Sequence, residues 1–359
     1  MAALSAALVA CGSGDGSAPA SGSGSGSGST QGAGGGSLKV PSAVGKTCQA
    51  GDAGALKGTR VPVAAGSPAG PAPEEPFYVD SQSSAAAAIR SDPKNTALYR
   101  KIASQPVAYA IGDWLGDPRN AVSAYLDRAA AAQATGILMV YAIPHRDQGA
   151  GYSAGGEATA ADYRQFTRRV AGAIGDRRVV IILEPDSLAQ MDSLTSAQQS
   201  ERYALLRDAV EVYGKRKGAS VYLDGANCGW TPAAVIAQRL KKAGVTGARG
   251  FAVNVANYYW RPDEVARGRV ISALTGGSHF VVDTSRDGRG PAKSANAWCN
   301  PPGRGLGRPP TTSTGEPLAD AYLWIKAPGE SDGECGRGEP AAGRFWSAQA
   351  LTLARNSTS

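Results

Sequence analysis

The 359-residue sequence predicts one parallel α/β domain, most economically a barrel, and two observations lead to this fold class. Short apolar runs alternate with helix-like stretches over about 250 residues. One of these runs, 179-VVIIL-183, is continuous and β-branched, which is typical of a strand buried on both faces of a parallel sheet. A doubly wound open sheet is the alternative, but no glycine-rich dinucleotide fingerprint follows the first strand.

The elements follow from these patterns in chain order. The strand candidates are 107-VAYAI-111, 137-ILMVYAI-143, 179-VVIIL-183, 220-SVYLD-224, 251-FAVNV-255, 279-HFVVD-283 and 321-AYLWI-325. The stretches with helical period include 121-AVSAYLDRAAAAQA-134, 161-ADYRQFTRRVAGAI-174, 199-QSERYALLRDAVEVY-213, 232-PAAVIAQRLKKA-243 and 346-WSAQALTLARN-356.

The N-terminal part of the chain differs from the rest in composition. Residues 1–11, MAALSAALVAC, are apolar and too short to span a bilayer, so we interpret them as an export signal. Their end, 8-LVAC-11, resembles a bacterial lipobox in which Cys11 is lipidated, although no Lys or Arg precedes the apolar run. The alternative is an unstructured N-terminus with an incidental cysteine. Residues 12–75 are rich in Gly, Ser and Pro and predict a flexible linker before a folded domain at 76–359.

Charge and cysteine content bear on the partners. The net charge is +7, but its Lys and Arg residues are scattered in short groups typical of solvated helix faces, so no nucleic-acid partner is expected. With two histidines and no CxxC or Cys/His cluster, a metal site is not expected either. Export makes disulfides reasonable, and the four cysteines that remain beside Cys11 allow three connectivities.

Polar side chains follow nearly every candidate strand. These strand ends read 141-YAIPHRDQ-148, 184-EPDSL-188, 223-LDGANCGW-230, 254-NVANYY-259, 283-DTSRDGRG-290 and 326-KAPGESDG-333. In parallel sheets and barrels the loops at this end converge on one face, which therefore becomes a polar cleft. The cleft contains carboxylates and aromatic rings, without a GxSxG elbow or a phosphate-binding loop. Such a set is suited to glycoside hydrolysis, in which a carboxylic acid protonates the leaving oxygen.

These motifs, together with 298-WCNPPGRGLG-307 and 323-LWIKAPGESDG-333, closely resemble glycoside hydrolase family 6, the inverting β-1,4-glucanases. The likeness runs from about Phe77 to Arg355 in the order and spacing of the family. It implies a distorted (β/α) barrel with an incomplete strand ring and a substrate cleft across the C-terminal ends of the strands.

The resemblance also implies catalytic roles. Asp186 matches the general acid, and Asp147 matches the aspartate that raises the pKa of this acid. Asp332 matches the aspartate proposed as base, while Ser153 matches a serine that relays water. Tyr141 matches the tyrosine that presses the sugar at the cleavage point toward a distorted ring.

Further residues are implied to bind substrate or to hold the site. Lys326 and Glu330 match residues that hydrogen-bond glucose hydroxyls, and Asn257 belongs to the matching 257-NY-258 motif, so it is expected to contact substrate. Trp230 and Trp298 match ring platforms. Asp224 matches a structural aspartate near the site, and Cys299 and Cys335 match a disulfide of the family. Cys48 and Cys228 are then either unpaired or paired with each other.

The sequence departs from the family pattern at several positions. Gln148 replaces a cysteine, and the partner cysteine expected after 184-EPDSL-188 is also missing. Asn227 replaces a histidine. Ala110 stands where a tryptophan platform is usual, unless Tyr109 or Trp114 substitutes for that ring.

We therefore expect a secreted, monomeric, inverting endo-β-1,4-glucanase that acts on a β-glucan polysaccharide without cofactor or metal. A lipid anchor at Cys11 would hold it at the outer face of the cell membrane. A short stretch, 333-GECGRGEPAAGRF-345, follows Asp332 and favours an open cleft and therefore cleavage within chains. The alternatives are a weakened glucan-binding surface lipoprotein and a hydrolase of a different β-glucan.

Overall fold

A computed structural model of the chain describes Cys48 and residues 69–148, 151–293 and 296–357. The predicted export signal, Cys11 and most of the predicted linker lie outside the described residues, so these expectations stay predictions.

Within the described ranges, seven parallel strands form one sheet, and each overlaps a predicted apolar run. Their bounds are β1 (Tyr109–Ile111), β2 (Gly136–Val140), β3 (Val179–Leu183), β4 (Ala219–Asp224), β5 (Gly250–Val253), β6 (His279–Asp283) and β7 (Ala319–Leu323). Neighbours in space are neighbours in sequence, from β1 to β7. This order requires a helix or loop crossover on the same side after each strand, which curls the sheet toward a barrel.

The ring of strands is incomplete. Among the described residues, β1 and β7 do not pair as strands, and the sheet ends at these two edges. One backbone hydrogen bond, from Ala108 N–H to the Trp324 carbonyl at 2.9 Å, joins the edges just outside the two strands. The predicted distorted barrel with an incomplete ring is confirmed.

In the described part of the chain, eight α-helices surround the sheet. They are α1 (Ser84–Ser91), α2 (Thr96–Ala103), α3 (Arg119–Ala131), α4 (Ala160–Ile174), α5 (Ser196–Gly214), α6 (Ala233–Lys242), α7 (Arg261–Leu274) and α8 (Ser347–Arg355). Short 3₁₀ turns occur at Pro93–Asn95, Asp113–Leu115, Ala189–Ser193 and Val245–Gly247. Helices α3, α4, α5, α6 and α8 lie on predicted stretches, while α1, α2 and α7 were not among the predicted helices. Helix α5 begins with a capping box in which Thr195 and Gln198 bond each other's backbone N–H.

Apolar side chains form three clusters. Alternate strand residues, such as Val180 and Ile182, fill the barrel interior, and their neighbours pack outward against the helices. Thus β3 is buried on both faces, as its composition predicts. A third cluster joins α1, α2 and α8 to Trp324 just beyond β7. Helices α1, α2 and α8 therefore cover the sheet edge at β7, where β7 does not pair with β1.

Candidate active site

A sharp turn at the end of β3 separates two carboxylates. Both Glu184 and Asp186 have positive φ, at 53° and 66°. The buried Glu184 carboxylate accepts hydrogen bonds from the backbone N–H groups of Ala142 and Ile143, at 3.0 to 3.1 Å. Burial raises the pKa of Glu184 to about 7, against these hydrogen bonds. Glu184 thus ties the end of β3 to the segment after β2.

Asp186 lies partly buried among other acids. Its pKa is well above the ordinary value, first because of burial and then because of the negative charges of Asp224, Asp147 and Asp332. The positive charge of Lys326 opposes this shift. A carboxyl in such surroundings keeps its proton near neutral pH, which is the state that a general acid needs.

Asp224, at the end of β4, is the acid that acts most strongly on Asp186. Its Oδ2 accepts hydrogen bonds from the backbone N–H groups of Asp186 and Ala226, both at 3.1 Å. Its Oδ1 is buried without a hydrogen-bond partner among the described residues. Burial raises the pKa of Asp224 to about 7, so Asp186 and Asp224 titrate as a pair.

Asp147 joins the loop after β2 to the turn after β3. Its Oδ1 accepts from Gln190 Nε2 at 2.9 Å, and its Oδ2 accepts from the Ser153 backbone N–H at 2.7 Å. Ser153 is also held through its carbonyl, which accepts from Arg146 Nε at 2.8 Å. The structure therefore brings Asp147 and Ser153 together, as the site prediction requires.

Arg146 is a buried hub at the same end of the cleft. Its guanidinium donates to the Tyr141 carbonyl at 2.6 Å and forms an ion pair with Asp113. It also lies 4.6 Å from the centre of the Tyr141 ring and 5.4 Å from that of Trp114. Burial raises the pKa of Tyr141 well above its ordinary value, so its hydroxyl stays neutral.

Tyr109 and Trp114, the two rings expected as substitutes for a platform at Ala110, have different surroundings. Tyr109 points to the helix side, where its ring stacks on Tyr125 with centroids 5.0 Å apart. Trp114 is 52% exposed and packs across Gly112, where a Cβ would come within 2.3 Å of the indole. The structure thus leaves Trp114, rather than Tyr109, beside Tyr141 with a free ring surface.

Asp332 is clamped by donors from three loops. Arg286 Nη1 lies 2.9 Å from both of its oxygens, and Tyr258 OH and the Asn300 backbone N–H donate to Oδ2 at 2.9 and 3.0 Å. Arg286 is fully buried, and its guanidinium lies 4.2 Å from the centre of the Tyr258 ring. This network holds the carboxylate in one orientation.

Lys326 and Glu330 follow β7 and lie next to this clamp. Lys326 Nζ donates to the Ser331 carbonyl at 3.3 Å and lies 3.9 Å from Asp332 Oδ1. Burial raises the pKa of Glu330, and the charge of Lys326 partly offsets that effect. The two residues offer one donor and one acceptor group at the β7 end of the cleft.

The other predicted binding residues lie on further loops of this face. Trp230, after β4, is partly buried against the outer core. Asn257 donates to the Val255 carbonyl at 3.1 Å. Trp298 meets Tyr152, a residue that sequence reasoning missed, with ring centroids 5.8 Å apart. Tyr152 also covers Gly333, so the Ser153 loop reaches the Asp332 loop.

Two disulfides join loops of this face. Cys299 and Cys335 are bonded, with Cα atoms 5.9 Å apart, and the expected pairing is confirmed. Cys48 is bonded to Cys228, with Cα atoms 4.8 Å apart, which decides between the two states left open for this pair. Cys48 belongs to the predicted linker, and the disulfide attaches this residue covalently to the loop after β4.

Cys48, Cys228 and Glu264 bring three potential ligand atoms within 4.8 Å, but the disulfide occupies both sulfur atoms. No helix in the described ranges is both long and apolar enough to cross a bilayer.

Three buried arginines shape the site without having been predicted: Arg146, Arg202 and Arg286. Arg202 on α5 donates to the carbonyls of Ser187, Pro144 and His145 at 2.7 to 3.0 Å, which fixes the loops after β2 and β3. Arg146 and Arg286 stand inside motifs that the sequence analysis quoted. In the sequence, each could have been recognised as an arginine that follows a strand within an otherwise apolar, buried segment.

A family profile and several known proteins match most of this chain. The profile of Glycosyl hydrolases family 6 matches residues 72–357. Endoglucanase 1 of Streptomyces halstedii is 40% identical over 279 residues, which cover 75% of this chain and 85% of that protein. Endoglucanase A of Cellulomonas fimi is 42% identical over 291 residues, which cover 80% of this chain and 62% of that protein.

The solved structure of the endoglucanase Cel6 from Mycobacterium tuberculosis, in complex with a thio-linked methyl cellobiosyl-cellobioside, superposes with a TM-score of 0.76 at 46% identity. The superposition covers 81% of this chain and 99% of that one. Because the profile spans most of the chain and the relatives are well above 30% identical, this chain belongs to glycosyl hydrolase family 6.

Proposed function

We propose that this protein is a secreted endo-β-1,4-glucanase that hydrolyses β-1,4-glucosidic bonds with inversion at the anomeric carbon. The main support is the raised pKa of Asp186, which lies within a cluster of acids at the strand ends. The names of the relatives, which are endoglucanases, support the same activity.

In the proposed mechanism Asp186 donates its proton to the glycosidic oxygen as the bond to the anomeric carbon breaks. Its acidic neighbours keep the proton on Asp186 until substrate arrives, and Tyr141 borders the cleavage point. Water attacks the anomeric carbon from the opposite face, so the released sugar has the inverted configuration.

The surroundings of Asp332 favour a relayed route for the proton of that water. Its carboxylate is paired with the buried Arg286 and also accepts from Tyr258 and the Asn300 backbone, so direct proton uptake would give up the ion pair and leave the Arg286 charge buried without its partner. We therefore propose that the hydroxyl of Ser153, whose backbone is held by Asp147 and Arg146, accepts a proton from the attacking water while it donates its own to a second water, which releases the proton to bulk solvent.

Cleavage within chains is proposed because the loop after Asp332 is short. Residues 333–346 alone separate this aspartate from α8, which favours an open groove over a roofed one. A polymer can enter such a groove from the side. A rapid fall in viscosity for each reducing end released would identify this endo action.

We further propose export and lipidation at Cys11, on the sequence pattern alone. Incorporation of labelled palmitate into wild type but not into Cys11→Ser would test the anchor. The protein is proposed to act as a monomer, which light scattering can check.

The test of the activity is reducing-end release from mixed-linkage β-glucan by wild type and by Asp186→Ala at equal folded concentration. We expect a loss of about 10²–10⁴-fold in kcat for the variant, with binding of cello-oligosaccharides retained. Proton NMR of the first product should show the α-anomer. A wild-type protein that binds cello-oligosaccharides without turnover would instead be a glucan-binding protein.

A further inference from the structure

An exposed tryptophan stands on the catalytic face and stacks on no other aromatic ring among the described residues. Trp260 precedes α7 and is 48% exposed. Its indole lies flat against Gly290, where a Cβ would come within 2.1 to 2.5 Å of three indole atoms. Gly290 has a φ of +63° and follows β6, so the ring is supported by the backbone of the next loop.

Two arginines flank this ring. Arg304 Nη1 donates to the carbonyls of Gly290 and Arg289 at 2.7 and 3.0 Å, which places its guanidinium beside the support of Trp260. The exposed Arg289 is close enough for its charge, together with burial, to lower the pKa of Arg304. We call Trp260, Arg289 and Arg304 the basic rim.

The basic rim has no carboxylate of its own to neutralise it. Within the described ranges, no carboxylate oxygen lies within 4.0 Å of the guanidinium of Arg289 or Arg304. Asp287 is buried nearby, and burial raises its pKa to about 8, so it is mostly protonated at neutral pH. Asp263, in the first turn of α7, is exposed and pairs with neither arginine.

The rim is continuous with the candidate site. Arg304 is close enough to Tyr258 for its positive charge to oppose the rise in the pKa of Tyr258 that burial causes. The Tyr258 hydroxyl donates to Asp332 at 2.9 Å. Arg304 and the predicted platform Trp298 belong to one loop, which the Cys299–Cys335 disulfide fastens to the Asp332 loop. A polymer in the cleft would therefore pass within reach of the rim.

We propose that the basic rim binds carboxylate groups on a β-glucan chain, so that the enzyme prefers an acidic glucan over a neutral one. The inference rests on the proposed function. Guanidinium groups that have no carboxylate partner bind carboxylates by charge-assisted hydrogen bonds, and the face of Trp260 suits the apolar face of a sugar ring.

The experiment compares KM for carboxymethylcellulose, which is anionic, with KM for hydroxyethylcellulose, which is neutral. For Arg289→Gln we expect KM on the anionic polymer to rise about threefold or more, because one exposed charge pair is lost. KM on the neutral polymer and kcat on both should stay at wild-type values. In about 0.5 M salt the difference between variant and wild type should disappear, because exposed charges are screened.

Lys217→Gln is the matched control. Lys217 is exposed just before β4, at the opposite end of the barrel, and its replacement removes the same charge from the protein. It should leave both KM values unchanged, whereas Arg289→Lys should restore most of the anionic preference. Equal KM values for wild type and Arg289→Gln on carboxymethylcellulose would overturn the proposal, as would an equal effect of Lys217→Gln.

Failure of the proposed function would be separable from failure of the rim. If wild type hydrolyses neither polymer, the same variants are compared by affinity electrophoresis in gels that contain carboxymethylcellulose or hydroxyethylcellulose. Retardation in the anionic gel that Arg289→Gln loses and Lys217→Gln keeps supports the rim without catalysis. Equal migration of both variants overturns it.

Discussion

Three carboxylates, Asp224, Asp147 and Asp332, raise the pKa of Asp186 beyond what burial does; of these, Asp224 has the largest effect and Asp147 the next. Removing the negative charge of Asp224 or of Asp147 should lower the pKa of Asp186, so the proton needed for catalysis is lost at lower pH. We expect the alkaline limb of kcat/KM to move to lower pH in Asp224→Asn and, by less, in Asp147→Asn. The pH profile between about 4 and 9 measures this shift.

The control for this experiment is Asp127→Asn, since Asp127 is an exposed carboxylate on α3. Its alkaline limb should match wild type. An Asp224→Asn variant that folds and keeps the wild-type limb would contradict the assignment of Asp186 as the acid.

Trp114 is predicted to bind sugar at the Tyr141 end of the cleft, because its half-exposed ring is braced by Arg146 and Gly112. Trp114→Ala should weaken binding of longer cello-oligosaccharides by about 1–3 kcal/mol, while cellobiose binding changes less. Calorimetry on an Asp186→Ala background measures this. Tyr109→Phe is the control, since the Tyr109 ring stacks on Tyr125 away from the cleft. If the proteins with and without Trp114→Ala bound longer cello-oligosaccharides with equal affinity, Trp114 would be excluded as a platform.

At the level of elements, the strands were predictable, whereas α1, α2 and α7 were not, and α7 shows a physical reason. Strands β3 and β6 match their predicted bounds, because strands covered on both faces are short, continuous apolar runs. Helix α7 buries Glu264, Arg267 and Gly268, so its inner face does not show an apolar stripe. The clamp on Asp332 was unpredictable in the same way, because it depends on contacts between loops that are distant in sequence.

The Cys299–Cys335 disulfide is predicted to hold the Asp332 loop. The two cysteines are 36 residues apart, and loop closure of that length is worth about 3–4 kcal/mol in the chain-entropy model. We expect Cys299→Ser/Cys335→Ser to have a lower midpoint of unfolding in urea and a lower kcat, because Asp332 and Asn300 bond each other across this loop.

Wild type under reducing conditions is not an adequate control here, because reduction also opens Cys48–Cys228. The matched variant is Cys48→Ser/Cys228→Ser, which removes the other disulfide. It should lose stability while retaining more of the wild-type kcat at a temperature where both variants are folded. Equal losses of kcat would show that the Cys299–Cys335 bond has no particular connection with Asp332.

For the molecule as a whole, the catalytic face is rich in buried acids with raised pKa values. Glu184, Asp224 and Glu264 titrate near 7 and Asp287 near 8, in each case first because of burial. An acid whose pKa is higher in the folded than in the unfolded state favours folding most at low pH, and this contribution is lost as pH rises through the folded-state pKa. Collecting such groups for catalysis therefore makes the fold less stable at alkaline pH.

Glu264 allows this consequence to be measured away from the reacting groups. Its Oε1 accepts from the Cys228 backbone N–H at 2.8 Å, and its Oε2 is buried without a hydrogen-bond partner among the described residues. Glu264→Gln keeps the acceptor and removes the titrating proton. We expect the free energy of unfolding of wild type to fall between pH 5 and pH 8, and that of the variant to fall less, by on the order of 1–3 kcal/mol. Urea unfolding at several pH values measures both slopes.

The control is Glu211→Gln, at an exposed position on α5, which should keep the wild-type slope. If Glu264→Gln also kept that slope, burial would not be what raises the pKa of this carboxyl.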